Sequence, residues 1–74
     1  MKLTQLQKNQ TAKVVGIDGP KSLRERLFSF GILPQEEIIL KEYSLAKQTL
    51  EVLVGDTLVA LRANEAMLIE IEII

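Results

Sequence analysis

Residues 68–74 show the clearest alternation of apolar and polar positions in the chain. Ile69, Ile71 and Ile73 alternate with Glu70 and Glu72, which is the two-residue period of a strand with one buried and one solvated face. Four further runs rich in Val, Ile and Leu are bounded by glycine, proline or polar residues, so they also predict strands. These runs span residues 10–17, 36–43, 50–54 and 57–61.

The third and fourth predicted strands are separated only by Gly55-Asp56. Two residues are the usual length of a tight β-hairpin loop, and glycine at the first central position favours a type II′ turn. We therefore predict an antiparallel hairpin at this point.

One helix is predicted between the first and second strands. Leu23, Leu27 and Phe30 recur at spacings of four and three, which gives the segment one apolar face. Ser22 and Glu25 have the spacing of a capping box, so the helix is predicted to begin at Ser22.

Gly31 is predicted to end this helix, because only glycine takes the left-handed conformation at little cost. Ile32 would then fold back onto the last turn of the helix. Two single helical turns are also predicted, one at Leu3 and Leu6 and the other at residues 62–66.

The predicted fold is therefore mainly β, with about five short strands and one short α-helix between strands 1 and 2. We expect the sheet to curl into a small barrel, closed or nearly closed, since an open sheet of such short strands leaves two edges unpaired. The helix would cover one open end. A chain of 74 residues can supply one core, so residues 1–74 are predicted to form a single domain.

The composition excludes several classes of function. The chain has no Cys and no His, which leaves no thiol nucleophile, imidazole base or disulfide, and we predict that it is not an enzyme. Its net charge of -1 does not favour nucleic acid as a partner. The chain has no apolar run of signal-peptide or membrane-span length, so a cytoplasmic location is expected.

Metal binding would have to use carboxylates. Glu70 and Glu72 share one face of the last strand and are the weak candidates, and a carboxylate site suits hard cations. Without a third ligand nearby, an ordinary solvated strand face is the simpler interpretation. No cofactor is therefore required, although weak binding of a divalent transition metal such as iron stays open.

The helix and the loop after it carry the candidate partner-binding residues. Arg24 and Arg26 could serve solubility alone, or could orient an acidic or phosphate-bearing partner. Phe28 lies off the apolar stripe, so it either widens the core face or is an exposed anchor. Leu33 follows the glycine that ends the helix.

The order of these features resembles that of the FeoA family of bacterial ferrous-iron transport. The resemblance covers essentially the whole chain. It is carried by Val15-Gly16-Ile17, Leu23-Arg24-Glu25-Arg26-Leu27, Phe30-Gly31-Ile32-Leu33-Pro34, the run from Gly55 to Arg62, and Glu65-Ala66.

The resemblance implies an SH3-like β-barrel with a helical insertion. It also implies a cytoplasmic, non-catalytic accessory protein that regulates or assembles the FeoB permease, through its GTPase domain or its membrane part. On this hypothesis the chain meets the membrane only through that partner, and docks through Arg24, Arg26, Phe28 and Leu33. The alternatives are a metal sensor or metallochaperone, and a homo-oligomer formed through the apolar last strand at Ile73-Ile74.

The chain departs from the family pattern in two loops. Gln35 stands where family members usually have glycine after the proline. The segment Leu45-Ala46-Lys47-Gln48 stands where they usually have a Gly-x-Pro turn. Contacts made through these loops are therefore not expected to carry over from other members.

Overall fold

The computed structural model describes residues 1–74 and contains five strands and two α-helices, with two short 3-10 turns. In chain order the elements are a 3-10 turn at Leu3–Gln5, β1 at Thr11–Ile17, α1 at Lys21–Ser29, β2 at Glu37–Tyr43, a 3-10 turn at Leu45–Lys47, β3 at Thr49–Val54, β4 at Thr57–Arg62, α2 at Ala63–Ala66 and β5 at Ile69–Ile73. The mainly β fold with a helix between strands 1 and 2 is confirmed.

All five strands form one antiparallel sheet in the order β4-β3-β2-β1-β5. Strands β4 and β5 are its two edges and do not pair with each other. The sheet is therefore not closed, so the fully closed form of the predicted barrel is wrong, while the five strands and the placement of the helix stand.

The first residues of the chain lie along the outer edge of β5, where β4 would lie in a closed barrel. The Ile71 N–H donates to the Met1 carbonyl at 2.7 Å, and Lys2 bridges to Glu70 on the same strand. The 3-10 turn at Leu3–Gln5 lies against both β5 and α2. The N-terminal segment thus lies along the edge of β5 that a closed barrel would have joined to β4.

One apolar core lies against one face of the sheet. Every strand contributes alternate residues to it, as the two-residue period predicts. Two register shifts, between Val14 and Gly16 and between Leu40 and Glu42, bend the sheet around this core, because a bulge increases local twist. The buried residues are Leu3, Leu6, Ala12, Val14, Leu27, Ile32, Ile38, Leu40, Leu50, Val52, Val54, Val59, Leu61, Ala66, Ile69 and Ile71.

The start of α1 differs from the prediction. Pro20 is the residue before the helix, and its carbonyl accepts hydrogen bonds from the N–H groups of Leu23 and Arg24, both at 3.1 Å. Ser22 lies inside the first turn and makes no capping bond, so the predicted capping box is wrong. Proline has a φ suited to the helix start and no N–H of its own to satisfy, so it fixes the boundary earlier than Ser22.

The end of α1 follows the prediction, with one correction. Gly31 has a φ of 89°, its N–H donates to the Phe28 carbonyl at 2.9 Å, and the Ile32 N–H donates to the Leu27 carbonyl at 3.0 Å. These are the two bonds of a Schellman motif. The reversal buries Ile32 completely and leaves Phe30 40% exposed, so Phe30 does not belong to the core face.

Several loops use left-handed backbone. Gly55 has a φ of 62° and Asp56 has no positive φ, which is the sign pattern of the predicted type II′ turn. Gln35 and Ala46 also have positive φ, at 80° and 67°. Both lie in the two loops where glycine was expected from the resemblance, and both take the left-handed conformation without being glycine.

None of the helices combines the length and the apolar character that crossing a bilayer would need.

Candidate partner-binding surface

The Schellman turn after α1 brings three exposed apolar side chains close together in the chain. Phe28 is 41% exposed, Phe30 is 40% exposed and Leu33 is 38% exposed. We refer to these three residues as the helix-end surface. Of the two alternatives predicted for Phe28, the structure shows the exposed one, because Phe28 lies outside the core.

Neither phenylalanine of this chain contributes to the hydrophobic core. The sixteen buried residues are all aliphatic, and the one tyrosine, Tyr43, is only partly buried against them. Aromatic side chains bury more area than most others when they enter a core or an interface. Phe28 and Phe30, two residues apart at the end of α1, are therefore large apolar side chains available for contact with a partner.

Arg26 connects α1 to α2 through an ion pair. Its Nη2 donates to Oε2 of Glu65, and the other carboxylate oxygen of Glu65 accepts the Arg62 N–H at 3.1 Å. The Glu65 side chain is 14% exposed whereas that of Arg26 is 51% exposed. Arg26 therefore orients the helix and still presents part of its guanidinium to solvent.

Arg24 has an internal partner as well. Its Nη1 donates to the Gly19 carbonyl at 2.7 Å, across the turn that precedes α1. Lys21 and Glu25 form an additional pair along the helix at 3.8 Å. The two cations predicted to meet a partner are therefore held by contacts within the chain, Arg24 at the start of α1 and Arg26 against α2.

The two weak metal candidates are in different surroundings. Oε1 of Glu70 accepts from the N-terminal ammonium at 2.7 Å, and Oε2 lies 3.0 Å from Nζ of Lys2. The ammonium and then Lys2 hold the pKa of Glu70 below its usual value, because both favour the charged carboxylate. Glu72 lies opposite Lys13 in the sheet.

No cluster of three or more His, Cys, Asp or Glu side chains is present that could hold a metal ion. Both oxygens of Glu70 have cationic partners, so an ion would have to displace them. The sequence pattern identified the shared face but not these partners, since Met1 and Lys2 are distant from Glu70 along the chain.

An open groove of about 430 Å³ lies at the opposite end of β4 from the hairpin. Its lining includes two cations and no carboxylate, and no sequence hypothesis included it. The lining residues are Lys47, Gln48, Thr49, Arg62, Ala63 and Asn64.

Sequence reasoning missed Phe30 as a surface residue. Its spacing from Leu27 matched the core stripe, and the signal that could have excluded it is the neighbouring Gly31. In a Schellman motif, the apolar residue that packs back onto the last helical turn is the one after the glycine. Here that residue is Ile32, not Phe30.

The open five-stranded sheet with α1 between β1 and β2 defines a small SH3-like β domain. The chain belongs to the FeoA family, since the FeoA domain model matches residues 1–73. It is 34% identical over 74 residues to a Campylobacter jejuni protein whose name describes it as a candidate Fe(2+) transport protein A, with both chains covered completely.

Two solved structures have the same fold. The solution structure of a FeoA protein from Chlorobium tepidum matches with a TM-score of 0.93 and 26% identity, over 99% of this chain and 70% of the other. The iron(II) transport protein A from Clostridium thermocellum matches with a TM-score of 0.94 and 30% identity, over 100% of this chain and 46% of the other.

Proposed function

We propose that this chain is a non-catalytic accessory protein of ferrous-iron uptake that docks in the cytoplasm on an FeoB-type permease. Membership of the FeoA family supports the role in iron uptake. The observation that carries the docking proposal is the helix-end surface, where Phe28, Phe30 and Leu33 are each about two-fifths exposed.

The physical argument rests on where binding energy is available. Interfaces draw most of their affinity from a few large anchors that become fully buried, with aromatic residues and arginine enriched among them. Phe28 and Phe30 supply such anchors, and the exposed part of Arg26 lies on the same helix. The internal bonds of Arg24 and Arg26 reduce the flexibility of both side chains, which lowers the entropic cost of binding.

The test is a binding titration of the purified chain against the cytosolic GTPase domain and the whole permease, with and without guanine nucleotide. We expect Phe28→Ala and Leu33→Ala each to weaken binding by about tenfold or more. Leu45→Ala is the matched control, because Leu45 is 98% exposed and lies on a different loop. Absence of binding at high micromolar concentration in every condition would contradict the proposal.

A second pair of variants separates the charge of Arg26 from its structural role. Arg26→Ala and Glu65→Ala both break the ion pair between α1 and α2, but only the first removes a cation from the surface. We expect weaker binding from Arg26→Ala than from Glu65→Ala. Equal losses would assign Arg26 to the packing of the helix and remove it from the interface.

A further inference from the structure

Strand β4 has one edge of backbone without a neighbouring strand. It is the terminal strand of the sheet and pairs only with β3, and the pair Val54↔Thr57 closes the hairpin. In a two-residue hairpin, alternate residues bond across to the partner strand while the residues between them turn their N–H and C=O groups to the other side. The outward residues of β4 are therefore Leu58, Ala60 and Arg62.

Hydrogen bonds at the end of β4 agree with this alternation. The Ala63 N–H donates to the Gln48 carbonyl beside β3 at 2.9 Å, whereas the Arg62 N–H donates to the Glu65 carboxylate at 3.1 Å. No backbone hydrogen bond outside the sheet involves Leu58 or Ala60. Their N–H and C=O groups are thus the ones available to another strand.

Between Thr57 and Leu61, the β4 edge lacks the features that usually block strand addition. Natural edges are protected by charged residues, prolines, bulges or covering segments. The segment from Thr57 to Leu61 has no charge and no proline, and its register with β3 is continuous. Leu58 is 58% exposed and no strand pairs with this edge, so we expect that it can accept another strand.

We propose that β4 pairs antiparallel with β4 of a second copy of this chain, about a two-fold axis at Val59. Leu58 of each copy then lies opposite Ala60 of the other, and both available residues of each strand form hydrogen-bonded pairs. The two sheets become one continuous ten-stranded sheet, and the contact is self-complementary as two-fold symmetry requires.

Two independent observations select this register. A shift by two residues in one direction would place Leu58 opposite Arg62, whose N–H is already bonded. A shift by two residues in the other direction would place Ala60 opposite Asp56 in the hairpin turn. The register centred on Val59 also brings Arg62 of each copy opposite Asp56 of the other. Neither residue has an ion pair within its own chain, so the pairing joins two free opposite charges at both ends.

The expected dimer is weak and reversible. Pairing of two short strands buries less than the roughly 1,200–2,000 Å² of a standard stable interface. The ion pairs are exposed, so association should fall as salt concentration rises. The proposed contact is argued from β4 alone and uses none of Phe28, Phe30 and Leu33, so it does not depend on the proposed function.

Sedimentation velocity over a concentration series tests the proposal with two charge variants. In homodimers of Arg62→Glu or of Asp56→Lys, like charges face each other at both ends, and we expect each to associate about tenfold or more weakly than the unmodified chain. In an equimolar mixture of the two variants, the introduced glutamate faces the introduced lysine while native Arg62 faces native Asp56. We expect the mixture to dimerise about as well as the unmodified chain.

A third variant tests the backbone contact itself. Ala60→Pro removes an outward N–H without removing a hydrogen bond to β3, so it should abolish dimerisation while a circular dichroism spectrum shows a folded chain. Should this variant fail to fold, the charge variants still decide the matter. An unmodified chain that stays monomeric up to about 1 mM, or a mixture that shows no preference over the single variants, would overturn the proposal.

Discussion

The two edges of the five-stranded sheet differ in what lies against them. The outer edge of β5 is covered by Met1 and Lys2, through the Ile71 N–H bond to Met1 and the ion pair of Lys2 with Glu70. The outer edge of β4 has no strand paired with it, and Leu58 is 58% exposed there. The comparison shows that an SH3-like sheet can cover one edge with its own N-terminal segment while the other edge has no paired strand.

The largest expected effect comes from loosening the segment that covers β5. Leu3 is fully buried in the core and belongs to the 3-10 turn that holds this segment in place. We expect Leu3→Ala to lower the free energy of unfolding by about 2–5 kcal/mol. The matched change at the other edge, Leu58→Ala, should stay within about 0.5 kcal/mol.

Urea denaturation at concentrations where the chain is monomeric measures both variants. Comparable losses for Leu3→Ala and Leu58→Ala would mean that the N-terminal segment contributes no more to stability than the open edge does.

Amide hydrogen exchange sharpens the contrast between the edges at single residues. The Ile71 N–H is bonded to Met1, so it should exchange about tenfold or more slowly than the outward amides of Leu58 and Ala60 in a dilute sample. Raising the protein concentration should protect those two amides if β4 pairs with a second copy. Protection of both in the dilute monomer would show that another part of the chain covers the β4 edge.

Tyr43 offers a smaller change to the same N-terminal segment. Its hydroxyl contacts the backbone carbonyls of Thr4 at 3.0 Å and Leu6 at 2.7 Å. We expect Tyr43→Phe to cost about 1 kcal/mol of unfolding free energy, because the ring and its contact with the Lys47 ammonium at 5.0 Å are retained. Ser22→Ala is the control for loss of an exposed hydroxyl that makes no hydrogen bond within the chain, and an equal effect of both variants would contradict the assignment.

The smallest expected effect is electrostatic and depends on pH. The N-terminal ammonium and Lys2 lower the pKa of Glu70, so its contribution to stability is present above the usual carboxyl pKa of roughly 4.3. That contribution is lost as the pH falls through the lowered value. Glu70→Gln should therefore reduce stability slightly at neutral pH and converge with the unmodified chain in acid. A difference that does not change with pH would rule out this origin.

The pairing of Glu70 also leads to a prediction about metal binding. Because Glu70 is already paired with two cations, we expect anaerobic calorimetry with ferrous iron to give no saturable binding in the micromolar range. Saturable binding that is lost when both Glu70 and Glu72 are changed to Gln would favour the metal-sensor alternative.

The strands were predictable because their signals are local. The alternation of Ile69, Ile71 and Ile73 with two glutamates, and the two-residue link at Gly55-Asp56, each specify an element within a few residues. The position of the helix was predictable for the same reason. Its first residue was not, because both Pro20 and Ser22 are plausible starts and the backbone of Pro20 supplies the cap.

The candidate partner-binding surface was predicted only in part. Arg24, Arg26, Phe28 and Leu33 were chosen from their position on and after the helix, but their internal contacts were not foreseen. Arg26 meets Glu65 across 39 residues of sequence, which no local pattern encodes. Phe30 was assigned to the core because helical spacing alone does not say where the chain reverses.

By itself the sequence determined the number of strands and their order along the chain, the helix between the first two strands, and the left-handed turns at Gly31 and Gly55. It also carried the resemblance to the family. The strands, the helix and the turns depend on side-chain period and on backbone preferences that act over a few residues, whereas the family was indicated by the resemblance of the motifs and their order. Only the tertiary structure decided that the sheet stays open, that Glu70 is held by the N-terminal segment, and that both phenylalanines lie at the surface. Those outcomes depend on which distant segments compete for the same edge or the same core volume.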